Sequence, residues 1–232
     1  MESNSETCAA VKLPSDAMTR ANESDDATSI VARRYDRIAR VYDLAGGVDL
    51  LLTAGWRRDL WSSVEGARVL EVGVGTGLNF GFHPADLAVT GIDIAPKMLE
   101  AARRRAARLE APVCLELGDV QALRFPNASF DTVVATFVFC SVPDAVRGLR
   151  ELRRVLRPGG RLLLLEHVIS SRPWLAAVMR ALDPLTVRLS GAHIARNTFG
   201  NVEQAGFVDV VARSLLLDVV QYIDARAPAS SS

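Results

Sequence analysis

The stretch that most constrains this chain is Arg68–Gly77, R-V-L-E-V-G-V-G-T-G. Val69, Leu70 and Val72 form a short apolar run of the kind a buried parallel strand needs. Glu71 stands at its end, and Gly73, Gly75 and Gly77 follow. A glycine-rich turn after a first strand is where a doubly wound α/β sheet takes a nucleotide-like ligand, because glycine tolerates positive φ and lets the ligand approach the backbone. The dinucleotide fingerprint G-x-G-x-x-G/A is not met, since the third small residue would fall on Leu78. A diphosphate seeks the free N–H groups of a helix start with no carboxylate nearby. Here an acid precedes the loop, and Gly81 and Pro84 leave little room for a long helix after it. A ligand with a positive centre suits this loop better than a diphosphate.

The chain's 232 residues are enough for one α/β domain, and 49% hydrophobic residues supply a sizeable core. The formal net charge is zero, so there is no global footprint for nucleic acid. Cys8, Cys114 and Cys140 are odd in number, lack metal-ligand spacing and read as reduced thiols of a cytoplasmic protein. No metal site is expected. No apolar run approaches the ~20 residues of a spanning helix, and the polar N-terminus does not read as a secretory signal.

Residues 1–27 are polar and acidic and are expected to be a disordered tail, with Thr28 or Ser29 capping the first helix. Two lid helices are expected within 29–64: Ser29–Leu44, where Val31, Tyr35, Ile38 and Tyr42 recur at helical spacing, and Val48–Val64, separated from it by Gly46–Gly47. Leu87–Asp93 reads as a second strand. Asp93, 20 residues after Gly73, can accept both hydroxyls of a ribose. Pro96 opens a helix reaching about Leu109. Val113–Val120 and Thr132–Phe139 read as strands three and four, Asp144–Leu156 as an amphipathic helix and Arg161–Val168 as strand five. Ser170–Arg196 departs from the repeat: Trp174, Leu175, Val178, Met179 and Leu182 share a helical face that Pro184 interrupts. A short helix over Thr198–Ala205, strand six at Val208–Arg213, an antiparallel strand seven at Leu215–Tyr222 and a tail over 225–232 complete the expectation. The domain so defined spans 28–224. Its predicted fold is α/β, a Rossmann-like, mostly parallel seven-stranded sheet with N-terminal lid helices and a helical cap insertion over 170–196.

Several motifs in this order resemble the class I S-adenosylmethionine-dependent methyltransferases. They are the Gly-rich loop, Y-D-R-I-A-R-V-Y-D at 35–43, and R-V-L-R-P-G-G-R-L-L-L-L-E-H at 154–167. Within that superfamily the chain resembles the ubiquinone/menaquinone-type enzymes and their thiol- and phospholipid-methylating relatives. G-T-G-L-N-F-G-F-H-P, F-C-S-V and G-A-H-I-A-R-N-T look like the thiol enzymes in particular. The resemblance implies S-adenosylmethionine as cofactor. It implies Tyr35 and Tyr42 as lid residues, and Glu71, Gly73, Gly75, Gly77 and Asn79 around the methionine moiety. Asp93 and Ile94 fall at the ribose, Met98, Asp119 and Val120 at the adenine, and Thr136 beside the sulfonium.

The implied reaction is an in-line displacement onto a small apolar or amphiphilic acceptor: an alkyl thiol, a phospholipid amine or a quinol. His167 and His193 are the candidate catalytic groups, since a thiol or amine acceptor must shed a proton. The chain lacks the [N/D]-P-P-[Y/F] of amino-methylating DNA enzymes after strand four, so nucleic acid is not an expected partner, nor is an obligate protein partner. At most peripheral membrane contact is expected. Two alternatives stand beside this reading: a nucleic-acid or protein methyltransferase on the same fold, and a cofactor-binding module without chemistry.

Overall fold

A computed structural model of the chain describes residues 23–190 and 193–229. Its centre is a seven-stranded sheet in the order β3-β2-β1-β4-β5-β7-β6. The strands are β1 (Arg68–Val72), β2 (Ala88–Asp93), β3 (Val113–Leu117), β4 (Phe130–Thr136), β5 (Leu156–His167), β6 (Val208–Leu215) and β7 (Val220–Arg226). β1 pairs in parallel with β2 and β4, and β4 in parallel with β5. β7 runs antiparallel to both β5 and β6, as expected of strand seven.

The central strands are buried on both faces, which is why they read as continuous apolar runs rather than alternating ones. On one face Leu70, Val72, Val133 and Leu164 pack with Leu149, Leu152 and Val155 of α3 (Ala145–Val155). On the other, Val69, Val134, Leu163 and Leu165 pack with Leu60 and Trp61 of α1 (Glu23–Ser62). Asp144 caps α3, its side chain accepting from the Arg147 amide at 2.9 Å. α2 (Pro96–Leu109) starts at Pro96 as expected. Its first turn lacks a cap of its own; Asp36 of α1 supplies one, accepting from the Lys97 amide at 2.9 Å.

The N-terminal lid departs from expectation. The two helices are one continuous helix of 40 residues that starts at Glu23, inside the expected tail, and runs through Gly46–Gly47. Each glycine costs about 1 kcal/mol in a helix interior. That cost is overridden because both ends are docked: Ala39 packs on Ala95 and Met98, while Leu60 and Trp61 sit in the core. Residues 1–22 lie outside the described set.

Smaller corrections follow the same logic. β3 stops at Leu117 and β4 at Thr136, because Gly118–Gln121 and Phe137–Ser141 turn away to line a cavity. β5 begins at Leu156, its Pro158–Gly160 turn absorbed as an irregularity against β4. α4 (Pro173–Ser190) passes through Pro184 without ending there. β7 starts five residues later than expected, after a short turn at Leu216–Asp218, and includes Ala225 and Arg226 of the expected tail. The thiols also differ: Cys114 is disulfide-bonded, whereas Cys140 is free and buried. Among the described residues no helix is long and apolar enough to cross a membrane.

Candidate functional site

The strand order reverses between β1 and β4, and a crevice at such a switch point, beyond the carboxyl ends of the strands, is where this architecture binds ligands. The structure has an open cleft there of about 1020 Å³, solvent at its mouth included. Four loops build its walls: Gly73–Asn79 after β1, Asp93–Ile94 after β2, Gly118–Gln121 after β3 and Phe137–Pro143 after β4. α1 closes it from above with Thr28, Val31, Tyr35, Asp49 and Arg57.

The Gly-rich loop is shaped for backbone approach. Gly73 and Gly75 sit at φ +64° and +55°. A Cβ on Gly75 would meet nothing within 4 Å, so its face is open to the cleft, whereas one on Gly73 would strike Val138 at 2.5 Å. The buried Asp93 carboxylate ties this loop to the start of α2. Oδ2 accepts from the Gly75 amide at 2.8 Å and Oδ1 from the Ala95 amide at 2.9 Å. Burial raises the Asp93 pKa, and those backbone N–H groups work against the rise.

Asn79 joins the loop to the rest of the site. Its Nδ2 donates to Glu71 Oε1 at 2.7 Å and to Thr136 Oγ1 at 3.1 Å. Its Oδ1 accepts from Arg57 Nη1 at 2.6 Å. Arg57 is buried; its remaining N–H groups reach Thr53 Oγ1 at 2.8 Å and Asp49 Oδ2 at 2.7 Å, and its guanidinium lies over the Phe137 ring.

At the other end Asp119 accepts from the Gln121 amide at 2.8 Å, and Gln121 Nε2 donates to Thr28 Oγ1 at 3.0 Å. Tyr35 shares a 2.6 Å hydrogen bond with Ser141. The lid helix is therefore bonded across the cleft at three points along its length: Thr28, Tyr35 and Arg57.

Of the residues singled out in the sequence, Tyr35, Gly73, Gly75, Asn79, Asp93, Ile94, Met98, Asp119, Val120 and Thr136 all line this one cavity. Four do not reach its wall. Glu71 is buried behind Asn79, with its second oxygen 3.0 Å from His83 Nε2. Gly77 faces the Phe80 ring, which a Cβ would strike at 2.3 Å, so its role is packing. His167 is exposed at the end of β5 and stacks on Phe137, ring centroids 4.4 Å apart; desolvation of the ring lowers its pKa. His193 is drawn away to Asp183, Nδ1 to Oδ2 2.8 Å, and its amide donates to the Cys140 carbonyl. Tyr42 falls on α1, but its side chain lies outside the described residues.

The sequence reading missed Thr28, Asp49, Arg57, Gln121 and Ser141. Asp49, Thr53 and Arg57 carried a usable signal. Their spacing of four residues puts them on one helical face, an unusual polar row in a segment otherwise read as packing. Cys140 is no nucleophile in this setting, because burial, with the nearby Glu166, pushes its thiol up to about 12.

A methyltransferase-domain family matches residues 70–164. A phosphatidylethanolamine N-methyltransferase of Cereibacter sphaeroides is 40% identical over 156 residues, 66% of this chain and 75% of that protein. A demethylmenaquinone methyltransferase of Deinococcus radiodurans is 36% identical over 173 residues, 72% of this chain and 69% of that one. A thiol S-methyltransferase of Rattus norvegicus is 33% identical over 158 residues, 66% and 65% of the two chains. Among solved structures, a chain from the complex of the Haloferax volcanii Trm112 methyltransferase activator with a methyltransferase superposes with a TM-score of 0.70 at 17% identity, covering 87% of this chain and 99% of that one. A methyltransferase of Thermotoga maritima gives 0.66 at 19% identity, covering 85% and 99%. Relatives and switch-point cleft agree, and this chain belongs to the class I S-adenosylmethionine-dependent methyltransferases.

Proposed function

We propose that this enzyme methylates a small amphiphilic acceptor, with an amine-bearing lipid headgroup the best match. The observation that carries the reading is the charge of the cleft wall. Its ionisable lining side chains are Asp49, Asp93, Asp119 and Arg57, three acids against one arginine. Arg57 and Asp49 pair with each other, so Asp93 and Asp119 set the net negative charge of the wall. Such a wall attracts a cation and repels a polyphosphate, which argues against nucleic acid. The 40% identical phosphatidylethanolamine N-methyltransferase supports the same choice.

The residues present fit the cofactor. Gly73 and the open face of Gly75 would take the methionine moiety, Asp93 the ribose hydroxyls, and Asp119, Val120 and Met98 the adenine end. S-adenosylmethionine supplies a methyl group already activated on a sulfonium. The protein's share is therefore positioning and exclusion of water. Tyr35 and Arg57 hold the lid helix over the cleft, and Phe137 offers an aromatic wall beside Thr136. Asp49, paired with Arg57, keeps an exposed edge that would face an ammonium acceptor at the mouth. His167, stacked on Phe137 outside the cleft wall, would take the proton the amine must lose through a water.

The test is S-adenosylhomocysteine release across phosphatidylethanolamine micelles, alkyl thiols and a demethyl-quinol. Turnover with the amine, lowered by Asp49→Asn, supports the proposal. Turnover confined to thiols or to the quinol moves the acceptor to that class. Tight cofactor binding with no turnover on any of them favours a binding module.

A further inference from the structure

We propose that α4 is a docking surface for an anionic lipid bilayer. Trp174, Val178, Leu182 and Leu185 are 65, 47, 47 and 54% exposed, unusual for side chains of this size. At 100° per residue they fall within about 80° of one another, making a single stripe along the helix. The opposite side of α4 is the packed one, where Ala176 and Met179 are buried. The stripe is therefore a second apolar face that the described residues leave uncovered.

Charge selects the occupant. Arg180 and Arg188 of α4 are exposed, as is Arg172 just before it. Asp183, the one acid in α4, is turned inward, bonded to His193 Nδ1 and to the amides of Ile194 and Ala195. By the same count Arg188 lies at the edge of the stripe and Arg180 on the far, polar side of the helix, while Arg172 stands before it beside Asp218. With Asp183 turned inward, α4 pairs an apolar stripe with a cationic remainder, the pattern of an interfacial amphipathic helix on anionic lipid.

Position ties this surface to the cleft. Arg34 of the lid helix donates to the Val187 carbonyl at 2.9 Å, so the end of α4 is fastened to α1 close to Tyr35. A bilayer held on α4 would lie beside the lid helix that closes the cleft, a position suited to delivery of an amphiphilic acceptor. That purpose rests on the acceptor reading above, but the docking surface does not.

The experiment is co-sedimentation of the full chain with phosphatidylcholine vesicles, with and without phosphatidylglycerol, at low and high salt. Trp174→Gln/Leu182→Gln and Arg172→Gln/Arg180→Gln/Arg188→Gln are compared with the parent. Because these side chains are exposed, thermal melting and cofactor affinity should stay at parental values, which checks that each variant is folded.

Expected is binding to the anionic vesicles that weakens with salt. An arginine near such a surface is worth about fivefold in partition, so the triple variant should lose at least about that much through Arg188, which lies at the edge of the stripe. The apolar pair should lose about tenfold or more. Absence of binding to anionic vesicles at low salt overturns the proposal, as does undiminished binding by both variants. Self-association by light scattering that only the apolar variant abolishes, with vesicle binding unchanged, would assign the stripe to a second copy of the chain. If vesicles bind but no lipid amine is methylated, the docking surface survives and the acceptor reading fails.

Discussion

Arg57 Nη1 donates to Asn79 Oδ1 at 2.6 Å, joining the lid helix to the Gly-rich loop through a buried charge. Asn79 faces that cation with its oxygen and Glu71 with its nitrogen, so one amide mediates between two buried ionisable groups. Asn79→Ala takes one hydrogen bond from each, leaving Arg57 on Asp49 and Thr53 and Glu71 beside His83. A hydrogen bond to a charged group is worth about 1.5–3 kcal/mol. The variant should lose stability on that scale in a denaturant titration, and bind S-adenosylmethionine more than tenfold more weakly by calorimetry. Asn79→Asp should restore the Arg57 bond but set a second acid against Glu71, leaving it less stable than the parent.

The two loop glycines should separate affinity from stability. Gly75 has open space where a Cβ would point, so Gly75→Val should weaken cofactor binding strongly. Its left-handed backbone adds a strain of about 1–2 kcal/mol. Gly77→Ala drives a methyl into the Phe80 ring and should cost at least about as much stability while altering affinity less. Melting temperature and dissociation constant, measured on both, should rank the variants in opposite order.

Asp93 is the group on which a ribose would depend. Asp93→Asn keeps one oxygen for the Gly75 or Ala95 amide but removes the charge. A charge-assisted hydrogen bond is worth about 1.5–3 kcal/mol, so affinity should fall by about tenfold to a hundredfold for each hydroxyl bond lost. An unchanged dissociation constant would remove Asp93 from the cofactor site.

Tyr35 and Ser141 share a 2.6 Å hydrogen bond across the cleft. Tyr35→Phe and Ser141→Ala should each raise the KM for the cofactor several-fold. The double variant should be no worse than either alone, because both remove the same bond. Additive effects would mean the two residues act separately.

Glu166 gives the pH prediction. It lies fully buried at the end of β5, where Oε1 accepts from the amides of Val138 and Phe139 at 2.8 and 3.0 Å and Oε2 has no hydrogen-bond partner among the described residues. Burial raises its pKa to about 7, against an ordinary value of 4.5. The folded state therefore holds this proton more tightly than the unfolded one. Its contribution to stability is full below the unfolded value and is lost as pH rises through about 7. Glu166→Gln keeps an oxygen for the two amides and cannot ionise. Relative to the parent it should gain stability steadily between about pH 5 and pH 8, read from denaturation midpoints across that range. A constant difference across it would show that Glu166 does not titrate there.

Local pattern accounts for most of what was legible. The apolar runs at Val69–Val72 and Leu162–Leu165, the punctuation at Gly73–Gly77 and Pro158–Gly160, and the acid at the end of β2 are short-range signals. They determine strand positions, fold class and the ten cavity-lining residues anticipated from motifs. They do not determine how the lid crosses the sheet. Gly46–Gly47 reads as a break, and only docking at both ends keeps α1 continuous. Nor do they reveal that Asp36 caps another helix, that Arg57 reaches Asn79 across 22 positions, or that Gln121 ties Thr28 to the β3 loop. The two histidines make the same point. As sequence they were equivalent strand-end and cap residues, yet stacking leaves His167 beside the Phe137 wall while Asp183 pulls His193 off it. Backbone propensity and periodicity are properties of neighbours along the chain. Which buried polar groups satisfy one another depends on which loops the sheet order brings together, and only the tertiary structure decides that.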